Sequence, residues 1–191
     1  MNASEAYQIQ KTRFMLWLEK HELADSSPLC DKGVDLEKLL SLCVVEQTKN
    51  NLALHAIWFL EKYVLAHKAD LPTIFDFLVL NRLRITIEGA QRILGNIYLQ
   101  ALKSSSYTTT EDQDEELINC GFDWLTTADK SIAVVANSIE LLYTMSLRYE
   151  WIKESLESEI GLLLERGTTP AIRSRGQKVL KQLHRKQKPR S

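Results

Sequence analysis

"SIAVVANSIELLYTMSLRYEWIKESLESEIGLLLERGTTPAIRSRGQKVLKQL", residues 131–183, is a run of amphipathic helices with two short breaks. In its middle part, residues 150–166, Ile152, Leu156, Ile160 and Leu163 step by four, four and three positions. That spacing stacks them on one helical face, whereas Lys153, Glu154, Glu157 and Glu159 fall mostly elsewhere on the turn. Ser131 stands where it can cap the helix that follows, Gly167 ends the middle helix, and Thr169 with Pro170 forms a favoured cap and first-turn pair.

Laid over the rest of the chain, this stretch finds its own echo. "ALHAIWFL" (53–60), "IEGAQRIL" (87–94), "VANSIELL" (135–142) and "RSRGQKVL" (173–180) align without gaps. Each places a small residue (Ala56, Ala90, Ser138, Gly176) four positions before a leucine (Leu60, Leu94, Leu142, Leu180). The two share a face one turn apart, so the small residue admits a neighbouring helix and the leucine fills the adjacent hollow. Successive leucines lie 34, 48 and 38 residues apart, the long interval containing the polar insertion near 104–113. A second, shorter helix follows three of the four, at 71–82, 113–127 and 150–166. Further helical patterns cover 4–22, 34–48, 51–68, 85–103, 131–148 and 170–187, with a break at 24–33 and no strand pattern. Asp70 and Pro72 flank a further helix start.

Two helices per unit of about 35 to 45 residues is the mark of an α-solenoid. Over residues 51–187 the chain resembles the HEAT-like and armadillo-like helical repeat families. The resemblance implies an all-α fold, a short right-handed α-solenoid or alpha-alpha superhelix. Residues 51–187 would carry the repeats as a single domain with an N-terminal helical cap at 1–48, and 188–191 would form a basic tail. It also implies that the second helices line a concave surface, presenting Asp76, Arg82, Asp123, Lys153 and Glu157 to a partner.

Composition agrees with a packed helical protein. Apolar residues make up 45% and charged ones 26%, while only seven Gly and four Pro interrupt 191 residues. Three cysteines, Cys30, Cys43 and Cys120, are an odd number at wide spacing, which points to a reducing compartment and a cytoplasmic location. The longest apolar runs, such as "AIWFL", fall far short of a membrane span, and no secretory leader pattern opens the sequence, so no membrane partner is expected.

Residues that could carry chemistry are sparse. The histidines at 21, 55, 67 and 184 never reach HExxH spacing, and neither a Gly-rich phosphate loop nor G-x-S-x-G occurs. No catalytic residue, cofactor or metal is therefore expected, and the reading leans away from an enzyme. His55 and Trp58, one turn apart, read as packing or surface rather than a pocket wall, and Trp17, Trp58, Trp124 and Trp151 as inter-helix filler. The acids Glu111, Asp112, Asp114, Glu115 and Glu116 read as a helix start favoured by the macrodipole, since they lack the spacing of a calcium loop.

Charge is unevenly placed. Residues 170–191 hold eight Lys/Arg and no Asp or Glu, leaving the remainder at −9 although the whole chain is at −1. In the last helix Ile172, Gly176, Val179, Leu180 and Leu183 form an apolar stripe. Arg173, Arg175, Lys178, Lys181 and Arg185 form a candidate basic surface. Arg173 and Arg175 sit at the positive end of that helix, where the dipole disfavours them, so pairing with carboxylates such as Glu154, Glu157 or Glu165 is expected. Phosphate attraction is the alternative, making nucleic acid a possible partner through this helix.

Taken together, the chain reads as a non-catalytic protein-binding or scaffolding module whose partner is a protein or extended peptide. One alternative is a DNA-binding or repair protein of the HEAT-like alkylpurine DNA glycosylase type, which the acidic body disfavours. A more distant alternative is a helical lyase of the adenylosuccinate lyase type, but "SSSYTTT" (104–110) lacks the Met, Pro and Lys of that family's serine-rich loop.

Overall fold

The computed structural model describes residues 36–44, 52–105 and 107–185. Among these are eight α-helices and no strand. They are α1 (Leu36–Cys43), α2 (Leu52–Ala66), α3 (Leu71–Leu80), α4 (Glu88–Lys103), α5 (Glu111–Thr126), α6 (Ile132–Ser146), α7 (Ile152–Glu165) and α8 (Pro170–Leu183), with 3₁₀ turns at Lys68–Asp70 and Arg82–Arg84. The fold is all-α, as the period of the apolar residues requires. The helix expected at 4–22, the break at 24–33, Trp17, His21, Cys30 and residues 186–191 lie outside the described residues.

Local chemistry sets the helix ends. α3 stops at Leu80 because Asn81 leaves the helical conformation and its amide donates to the carbonyl of Phe77 at 2.9 Å. α5 begins at Glu111, two residues before its expected start. Thr110 and Gln113 form a reciprocal capping box there, with the Gln113 N–H donating to Thr110 Oγ1 at 3.3 Å and the Thr110 N–H to Gln113 Oε1 at 2.9 Å. α8 is capped as expected, Thr169 Oγ1 accepting from the Ile172 N–H with Pro170 in the first turn. Gly167, at φ +83°, takes the left-handed turn that closes α7. One expected cap differs. Ser131 occupies the cap position of α6 but its side chain makes no capping hydrogen bond. Asp70 caps nothing with its side chain and instead accepts from the Tyr63 hydroxyl at 2.7 Å.

The chain divides into two compact units between Ile93 and Leu94, within α4. In the first, α1 packs on α2, and Leu39, Cys43, Ile57, Phe59, Leu60, Ile74, Phe75 and Leu78 are fully buried. In the second, α5 packs on α6, α6 on α7 and α8, and α7 on α8, around Leu142, Met145, Ile152, Leu156, Ile160 and Val179.

The repeated small residues are where the alignment puts them. Ala56, Ala90 and Ser138 are fully buried, as are Leu60, Leu94 and Leu142. Gly176 is buried too, and a Cβ there would lie 2.9 Å from Ile160 Cγ2, so α8 approaches α7 too closely for any larger residue. Leu180 is only half-buried, and the apolar stripe of α8 reduces to Ile172, Gly176 and Val179. A second close approach has no counterpart in the repeat: a Cβ on Gly121 would lie 2.8 Å from Leu142 Cγ, which brings α5 tight against α6. Replacing Ala56 or Ser138 by Leu should cost about 1 to 3 kcal/mol through overpacking. A urea midpoint unchanged in both variants would show that these positions do not face neighbouring helices.

Candidate interaction surfaces

Of the residues expected to face a partner, Asp76 is exposed on α3 and Arg82 is half-buried in the 3₁₀ turn after it, both in the first unit. In the second unit Asp123 is exposed on α5, while Lys153 and Glu157 stand one turn apart on α7. Both α7 residues are engaged. Lys153 Nζ lies 2.6 Å from Glu150 Oε2, and Glu157 Oε1 lies 2.7 Å from His184 Nε2 just past the end of α8.

The basic helix separates into two sides. On one, Arg175 donates to Glu140 Oε2 at 2.9 Å. The expected pairing therefore exists, but its carboxylate is on α6 rather than among Glu154, Glu157 and Glu165 of α7. The reason is that α8 packs on α6 as well as α7, and Arg175 sits on the α6 side. On the other side Arg173, Lys178, Lys181 and Arg185 are exposed, and none makes an ion pair among the described residues. Ser174, Gln177, Lys178, Lys181, Gln182 and Arg185 line one shallow, open concavity along this helix.

The best-connected polar cluster was not anticipated. Asp114, one of the five acids read as favouring the helix start through the macrodipole, is 1% exposed. Its carboxylate accepts from Arg148 at 2.6 Å and from the Tyr149 hydroxyl at 2.7 Å, and it also accepts from the Thr109 hydroxyl. Arg148 donates a further bond to Thr109 Oγ1 at 2.7 Å. The bond to Asp114, then burial and the carboxylate's charge, raise the pKa of Tyr149. The cluster ties the α6–α7 connection to the start of α5. Every oxygen of the buried acid has a charged or hydroxyl donor, which is the condition for burying it at all. Glu111, Asp112 and Glu115 remain exposed on the first turns of α5, as expected.

The remaining candidates stay peripheral. His55 lies on the outer side of α2, with partial desolvation lowering its pKa. Trp124 is buried, as filler should be, but Trp151 is 59% exposed, because it falls in the turn before α7 rather than on a packed face. Cys43 and Cys120 are buried and form no disulfide, and burial pushes the Cys43 thiol far above its ordinary pKa. Among the described residues no group of His, Cys, Asp and Glu could hold a metal ion, and no helix is long and apolar enough to cross a membrane.

The model of the HEAT repeat domain family matches residues 27–183. No curated protein and no solved structure matches the chain.

Proposed function

Since the chain belongs to the HEAT repeat domain family, with most of its length matched, we propose that it works as a non-catalytic scaffold that binds other proteins in the cytoplasm. The observation that carries this reading is the use of the small residues. Gly121 and Gly176 let Leu142 and Ile160 approach within contact distance of the backbone, so the second unit's helices form a tightly packed support. Charged side chains such as Asp123, Glu157 and Lys178 project from that support into solvent. Closely packed helices that carry charged side chains on their outer faces suit the recognition of an extended partner segment.

The test is in-cell cross-linking of the tagged chain, with cross-linked peptides identified by mass spectrometry. Repeated recovery of one protein partner, linked at defined lysines, is the expected result. Recovery of nucleic acid alone would favour the DNA-repair reading, and the accompanying assays should then show release of alkylated bases. We expect no base release and no turnover of adenylosuccinate; activity in either assay that a point substitution abolishes would overturn the scaffold reading.

A further inference from the structure

We infer that the solvent-facing stripe formed by Ser174, Gln177, Lys178, Lys181 and Gln182 of α8 and by Arg185 just past its end is a docking groove for an acidic, extended protein segment. This assignment rests on the protein-binding reading and gives it a surface and a partner chemistry. Its first support is electrostatic. Arg175 on α8 and His184 just past its end are engaged by Glu140 and Glu157, whereas Lys178, Lys181 and Arg185 have no carboxylate partner among the described residues. The segment thus engages Arg175 and His184 where it meets its neighbours and leaves Arg173, Lys178, Lys181 and Arg185 without an ion pair among the described residues, the last three along a single line. The same six residues line a concavity, so the charge is presented within a depression.

The neutral residues of the stripe indicate what kind of anion fits. The side chains of Gln177, Gln182 and Ser174 make no hydrogen bond among the described residues. A carboxamide offers a donor and an acceptor together, which matches the N–H and C=O of a peptide main chain. A phosphodiester backbone only accepts. From Ser174 to Gln182 the helix rises roughly 12 Å, at about 1.5 Å per residue, and Arg185 follows just beyond its end. About four residues of extended chain cover the helical part. Width matters as well. α7 packs beside α8 and exposes Glu154, Glu157 and Glu165. A duplex, with one phosphate charge per roughly 1.7 Å of axis, would set its phosphates against these carboxylates, whereas a single peptide strand can stay on the stripe.

The experiment is a fluorescence-anisotropy titration of the full chain against a labelled peptide of alternating Glu, Asp and Ser, and against a labelled DNA duplex. The wild-type chain should bind the peptide more tightly than the duplex. The combined Lys178→Glu, Lys181→Glu and Arg185→Glu variant should lose about tenfold or more in peptide affinity, which is about 1.4 kcal/mol. Arg175→Gln, at the margin of the stripe and already engaged by Glu140, should change it less. All three altered residues are exposed, and the corresponding triple glutamine variant serves if the reversed one does not fold. Peptide binding unaffected by the triple change, or absent in the wild type, would overturn the groove while leaving the scaffold reading to the cross-linking result. Tighter binding of the duplex, lost in the triple variant, would assign the stripe to nucleic acid instead.

Discussion

Asp114→Ala should lower the unfolding free energy by about 3 kcal/mol, because it leaves two hydroxyls and a guanidinium without the acceptor they converge on. Arg148 is 41% exposed and can rehydrate, which keeps the loss from being larger. Asp114→Asn retains the shape and one acceptor oxygen and should cost less. Tyr149→Phe removes a single bond and should cost about 1 kcal/mol. Far-UV circular dichroism during urea titration measures all three. The linkage to pH has a defined sign. The Tyr149 pKa is raised in the folded state, so its contribution is complete below the ordinary phenol value of 10.0 and fades as pH climbs through the folded value. Tyr149→Phe should therefore flatten part of the alkaline loss of stability. An Asp114→Ala variant as stable as the wild type would mean that the cluster is ornamental.

The second large effect is expected at Gly121. With a Cβ already 2.8 Å from Leu142 Cγ, Gly121→Leu must push α5 off α6 and should cost about 3 kcal/mol or more. Leu142→Ala alone should cost about 2 to 5 kcal/mol by leaving a cavity. The double variant should be more stable than the sum of the two losses predicts, since the new leucine fills the space the old one vacated. Strict additivity would show that the two residues do not meet. Gly121→Ala is a milder probe, since it gains up to about 1 kcal/mol of helix propensity against the same clash.

The contrast between Gly121 and Gly176 shows how far the sequence could be read. Gly176 was found because it recurs, in register with Ala56, Ala90 and Ser138, so four copies reported on one packing rule. Gly121 occurs once, and nothing in the repeat pointed to it. Asp114 failed for a different reason. In "EDQDEE" the acids look alike, and the one turned inward is chosen by helical register. Asp114 lies three, four and seven residues before Leu117, Ile118 and Gly121, all buried on α5, and that spacing was available as a signal. Its partners Arg148 and Tyr149 stand in a connection about 35 residues away, where no periodicity applies. The basic character of α8 was plain from composition, but the choice of Glu140 over the acids of α7 depended on which two helices flank it. The candidate partner residues Asp76, Arg82, Asp123, Lys153 and Glu157 came from a family pattern, which specifies a face of the repeat and not the contacts each side chain makes there.

The two sealed thiols have a kinetic meaning. Cys43 belongs to the first compact unit and Cys120 to the second, and each is at most 1% exposed. A thiol attacks only as thiolate, and neither sulfur meets reagent until its surroundings part. The rate at which each is labelled is thus a clock for the opening of its own unit, read in one sample and told apart by the peptide that carries the label. The chain holds, without any engineering beyond the silencing of Cys30, a separate timer in each half.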